Sequence, residues 1–192
     1  MNLFSRKKKL KIRTYGDSVL RKKAGQITDI DDSVVALADT MIDTMINADG
    51  VGLAAPQIGE SIRLIVLGIP YDPERIPPSS PGELQLLPQM PLALVNPEIT
   101  SATDQIVYAE EGCLSVPNIY AKVPRPAYIM LTAELLTGHR INIECRGFLA
   151  RALQHEVDHL NGILFTDKVE GDESLRIAPQ LEGLRKKGGR NR

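Results

Sequence analysis

Residues 147–161 read Gly147-Phe148-Leu149-Ala150-Arg151-Ala152-Leu153-Gln154-His155-Glu156-Val157-Asp158-His159-Leu160-Asn161. The stretch has no internal Gly or Pro, and Gly162 follows as a stop signal, so it is predicted to be a helix. Residues four apart on a helix lie one turn apart on one face, so the imidazoles of His155 and His159 can reach a single metal ion. Glu156 lies about 100° around the axis from His155. It can therefore touch a water at that metal without ligating it, which is what a metal-assisted hydrolase needs. Phe148, Arg151 and Ala152 share the histidine face, whereas Leu149, Leu153, Val157 and Leu160 form a second, apolar face. A helix apolar on two sides is expected to be central, with metal on one side and core on the other. The alternative is two hydrogen-bonded core histidines. With three His in the chain, two of them in this register, the metal reading is preferred.

An open catalytic site needs a third protein ligand. The metzincin spacing requires His at position 165, where this chain has Phe165. A downstream carboxylate (Glu170, Glu173 or Glu182) is one choice and a thiolate, which suits borderline cations, is the other. Of the two cysteines, Cys145 falls in the alternating stretch Ile141-Asn142-Ile143-Glu144-Cys145 and reads as core filler. Cys113, in Glu110-Glu111-Gly112-Cys113-Leu114-Ser115, reads as a polar turn and is the favoured thiolate. Two thiols with no secretory signal suggest no disulfide framework and a reducing, cytoplasmic setting.

A third segment, Gly50-Val51-Gly52-Leu53-Ala54-Ala55-Pro56-Gln57, lacks the GK[ST] and third glycine of a phosphate loop. Its small residues allow close backbone approach of a ligand, and the Gln57 amide can donate to an oxyanion.

Further out, residues 33–48 place Val34, Ala38, Met41, Ile42 and Met45 on one helical face, with Asp31 or Asp32 as cap and Gly50 as terminator. Residues 62–68 and 92–96 read as short strands. Residues 127–135 and 140–145 flank Thr137-Gly138 as a hairpin. Seven of thirteen prolines fall in 70–91, read as a Pro-rich insertion between elements. Strands and helices do not alternate as βαβ units, so the fold class is α+β.

The 192 residues form a single catalytic domain, 1–192, with 43% hydrophobic and 24% charged residues. No apolar run is long enough for a membrane span, and 4% aromatics without Trp argue against a nucleic-acid stacking platform; neither membrane nor DNA is an expected partner. Net charge is −1, yet 1–13 holds six basic residues and 185–192 five, with no acid in either. The body between them is acidic. Such basic ends, an N-terminal segment 1–13 and a C-terminal tail 180–192 beginning with a short helix after Pro179, are suited to a polyanion such as RNA.

Together, Gly50–Gln57, Glu111-Gly112-Cys113-Leu114-Ser115 and Gln154-His155-Glu156-Val157-Asp158-His159 resemble the three ordered motifs of the peptide deformylases, with no substitution at a defining position. The resemblance covers roughly residues 12–170. It implies antiparallel sheets packed around a central helix bearing the H-E-x-x-H motif, and removal of the formyl group from nascent formyl-methionyl peptides. It implies Cys113, His155 and His159 as ligands of Fe(II), with Zn(II), Ni(II) or Co(II) as substitutes. Glu156 would be base and then acid, and the oxyanion would be held by Gln57 and the Leu114 N–H. Val51, Phe148 and Ala152 would line the methionine pocket, Gly52 would admit the substrate backbone, and the Arg151 stem would cover the pocket with its head in solvent. In some family members a C-terminal extension contacts the ribosome. Competing readings are an H-E-x-x-H peptidase with a carboxylate ligand, and a metal-bearing sensor of N-termini that does no catalysis.

Overall fold

The computed structural model describes residues 10–188 except residue 76. The N-terminal residues 1–9 and the last four residues, which carry much of the basic charge of the two ends, lie outside the described part.

Helix α1 spans Asp32–Ile46 and is capped by Asp31, whose carboxylate accepts from the Ser33 and Val34 N–H groups at 3.0 Å. It ends at Asn47, three residues before Gly50. Strands β1 (Gly52–Ala54), β2 (Leu64–Leu67) and β3 (Leu92–Ala102) follow. The 70–91 stretch is more than an excursion, because it contains helix α2, Pro81–Leu86. Pro81 occupies the first turn, where no N–H is needed, and the Ser80 hydroxyl caps the end by accepting from Glu83 N. Strands β4 (Ile106–Cys113) and β5 (Val116–Pro126) pair as a hairpin, as do β6 (Tyr128–Leu135) and β7 (Arg140–Arg146). Helix α3, Gly147–Leu160, carries both histidines, and α4 runs Gly171–Gly188.

Strands β1-β2-β3-β6-β7 form one antiparallel sheet and β4-β5 a second. Strand β2 is buried on both faces because two helices sandwich it: Ile65 and Leu67 meet Leu149 and Leu153 of α3, and Leu64 and Val66 meet Met41 and Met45 of α1. The histidine helix is therefore central, as expected of an α+β fold built around it. Helix α2 seats Gly82 against Cys145 of β7 and places the Glu83 carboxylate beside Gly147, at the positive N-terminal end of α3.

The C-terminal segment differs from expectation. The helix starts at Gly171 and continues through Pro179, so residues 180–188 are helix and not tail. Ile177 is buried, and Leu181 and Leu184 join it against β5. That i, i+4, i+7 apolar row outweighs the one backbone hydrogen bond a proline removes.

Candidate active site

The polar turn anticipated around Cys113 is instead the end of β4, and the actual turn is Leu114-Ser115, where β4 reverses into β5. Two elements distant in sequence thus converge: the tip of the β4–β5 hairpin supplies sulfur, and α3 supplies two imidazoles. Ligand atoms of Cys113, His155 and His159 all lie within 4.8 Å of one another, with Cys113 Sγ 3.2 Å from His159 Nε2. Around a tetrahedral ion with bonds of about 2.3 Å to sulfur and about 2.0–2.1 Å to nitrogen, such an edge is about 3.5 Å. The donor set therefore fits a divalent cation of borderline softness.

Each ligand is oriented from behind. His155 Nδ1 bonds Glu111 Oε2 at 2.9 Å, leaving Nε2 for the cluster, and the ring stacks on Phe165 with centroids 6.1 Å apart. The Cys113 sulfur accepts from the Ser115 N–H and from Gln57 Nε2, each at 3.4 Å. Gln57 is itself fixed, since its Oε1 accepts from Ala54 N at 2.7 Å and its Nε2 donates to Ser115 Oγ at 3.1 Å. Burial lowers the affinity of His159 for a proton and keeps its ligating neutral form. For His155, burial acts the same way, but bonds to Cys113 and Glu111 outweigh it and raise its pKa.

Glu111 is the hub of a buried ion network. Its carboxylate accepts two bonds from Arg125 at 2.9 Å and one from Arg151 Nη1 at 2.7 Å. Arg125 also pairs with Asp158, which Lys168 approaches at 3.0 Å. Burial alone would raise the Glu111 pKa, but Arg125 and His155 overcome it and hold the carboxyl well below the usual range. The Arg151 head does not reach solvent as expected. It is buried, bonding Glu111 and the Val123 and Val107 carbonyls, because the β4–β5 hairpin folds over that side of α3.

Glu156 faces the cavity from the helix. It is buried, its Oε2 has no partner among the described residues, and burial pushes its pKa up to about 7. Gly52 lies against it: a Cβ there would sit 2.8 Å from Glu156 Cδ and 3.0 Å from Cγ. The glycine expected to admit a substrate backbone is thus also required for the acid to fit.

These groups line one cavity of about 580 Å³, and its walls include Val51, Gly52, Gln57, Cys113, Leu114, Phe148, Arg151, Ala152, His155 and Glu156. His159 is buried beneath. Every anticipated site residue is gathered here. The carboxylate candidates for the third ligand are not: Glu173 and Glu182 pair with Arg176 and Arg185 on α4, and Glu170 is exposed. Sequence reasoning missed Arg125, Ser115 and the roles of Glu111 and Asp158. The last three stand inside the quoted motifs, and no local pattern links Arg125 to them.

Comparison with known proteins agrees with this geometry. A family model described as polypeptide deformylase matches residues 9–174. "Peptide deformylase 2" of Gloeobacter violaceus is 45% identical over 90% of this chain and 84% of its own length. The crystal structure of peptide deformylase from Thermotoga maritima superposes with a TM-score of 0.74 at 36% identity, covering 85% of this chain and 99% of that one. A peptide deformylase structure from Plasmodium falciparum gives 0.81 at 31% identity over 92% and 96% of the two chains. Because the match runs through both the hairpin that brings the sulfur and the helix that brings the imidazoles, the chain belongs to the peptide deformylase family.

Proposed function

We propose that this peptide deformylase removes the formyl group from nascent polypeptides as a single catalytic domain in the cytoplasm, using Cys113, His155 and His159 to hold Fe(II), for which Zn(II), Ni(II) or Co(II) substitutes. The observation that supports the reading best is the three-donor cluster with the unpartnered Glu156 carboxylate beside it in one cavity. Bound there, a divalent cation would act as a Lewis acid and lower the pKa of a water near the formyl carbon.

The protein's own groups do the rest. Glu156, with a pKa of about 7, is suited to take the attacking water's proton and return it to the departing amine. Gln57 Nε2 holds two bonds, and the longer one, to sulfur, is the hydrogen that redirects to the developing oxyanion, together with the Leu114 N–H. Losing one such donor costs about 10²–10³ in rate. Val51, Phe148 and Ala152 form apolar wall for an unbranched side chain, and the buried Arg151 supports that wall by pinning the hairpin to α3. Gly52 leaves room for the acid and for an extended substrate backbone.

Formate release from formyl-Met-Ala-Ser by anaerobically purified protein tests the reading. We expect turnover in the wild type and its loss in Glu156→Ala at unchanged metal content; no formate from fully metallated protein would overturn it. A non-catalytic sensor would bind the peptide and release nothing. The reading includes transient ribosome contact through the basic ends. Cosedimentation with ribosomes should weaken when Lys7, Lys8, Lys9, Arg190 and Arg192 are neutralised, and equal pelleting would count against it. Among the described residues no helix is long and apolar enough to cross a membrane.

A further inference from the structure

The charge at the mouth of the cavity bears on which side chain the enzyme accepts directly after the formyl-methionine. The cavity lining includes one cationic side chain, Arg151, whose guanidinium is buried and spent on Glu111 and two carbonyls. The exposed charged residues of the lining are both acidic, Asp49 and Glu110. Neither has an ion-pair partner within 4.0 Å among the described residues. Two aromatic side chains on the same wall, Tyr120 and Phe148, are each 55% exposed. Tyr120 is held in place by lying on Gly112, where a Cβ would meet its ring at 2.6 Å. A carboxylate above an exposed aromatic surface suits a long cationic side chain, whose stem covers the ring while its head meets the acid. It opposes an acidic side chain. That ligands occupy this cavity is indicated independently by Glu156, buried yet unpartnered at Oε2.

We infer that Asp49, assisted by Glu110, makes this enzyme select formyl-methionyl chains with Lys or Arg just after the methionine and disfavour those with Asp or Glu. The inference rests on the deformylase reading of the site. Asp49 is the stronger determinant, because Glu110 faces Lys122 across the β4–β5 ladder and Arg176 lies near it. Two solvated charges about 6 Å apart interact by roughly RT, about threefold in rate, so the swing between a cationic and an anionic residue is about tenfold at low salt. It fades as the Debye length shortens to about 3 Å at 1 M salt.

The test compares kcat/KM for formyl-Met-Lys-Ser, formyl-Met-Ala-Ser and formyl-Met-Glu-Ser in 20 mM and 500 mM salt. The Lys-to-Glu ratio should be about ten at low salt, collapse at high salt, and fall about threefold or more in Asp49→Asn, with a smaller change in Glu110→Gln. Asparagine accepts the positive φ of 54° at this position, so the variant keeps its backbone. Turnover of the alanine peptide with a Lys-to-Glu ratio near one, or a ratio unchanged in Asp49→Asn, would overturn the inference while leaving the deformylase reading standing. No turnover of any peptide would overturn both.

Discussion

Gly52→Ala should silence the enzyme while leaving its metal in place. The new methyl carbon would stand 2.8 Å from Glu156 Cδ and 3.0 Å from Cγ, where ordinary contacts begin at 3.4 Å. The carboxyl arm must retreat by roughly 0.6 Å or more, of the order of the misplacement that costs about 10² in rate. It cannot simply swing into water, because Glu156 is buried. Strand β1 cannot yield freely either, since Gly52 is paired with Leu67 of β2. We expect kcat/KM to fall about 100-fold, or about 2.7 kcal/mol at 1.36 kcal/mol per tenfold. Overpacking of this kind costs about 1–3 kcal/mol in stability, a drop in Tm of roughly 2–12 °C for a chain of this size. Metal content should remain one per chain, because none of the three ligands meets the new methyl group. Steady-state formate release, metal analysis and a thermal melt read the three quantities. A folded Gly52→Ala protein within threefold of wild-type kcat/KM would refute the idea that this close approach sets the position of the acid.

Glu111→Gln leaves Arg125 and Arg151 buried without their shared counter-charge and should cost about 3–5 kcal/mol in a denaturant melt, with metal affinity about 10–100-fold weaker; an unchanged midpoint would show that the network is not what holds the hairpin on α3. Burial pushes the Cys145 thiol up to about 12, so in the native protein iodoacetamide should leave it unmodified from pH 7 to 9 and should reach Cys113 only after chelation. Mass spectrometry of the labelled peptides decides it, and rapid native labelling of Cys145 would contradict the buried assignment.

The histidine helix and the β6–β7 hairpin were legible because their signals are local: periodic apolar positions ended by glycine, and Thr-Gly between alternating stretches. Strand β4 was not, because its Glu110-Glu111-Gly112 carries no alternation and its pairing with β5 is set across the chain. Helix α2 hid among prolines, although Ser80-Pro81 with Glu83 two residues on is itself a helix-start signal. The site was legible at its reacting atoms and opaque behind them. A ligand pair four residues apart can be read from spacing, whereas the contact of Arg151 with Glu111 joins residues 40 apart and exists only once the hairpin folds over the helix. The same distance explains why the Arg151 head was expected in solvent, and why spacing alone assigns Gly52 to substrate and says nothing of Glu156.

X-ray absorption of the metal-loaded protein, wild type beside Cys113→Ser, tests the central claim most directly. The account predicts one sulfur at about 2.3 Å and two imidazole nitrogens at about 2.0–2.1 Å, with the sulfur shell gone in the variant. A first shell of nitrogen and oxygen alone in the wild type, or a sulfur shell that survives the loss of Cys113, would contradict it.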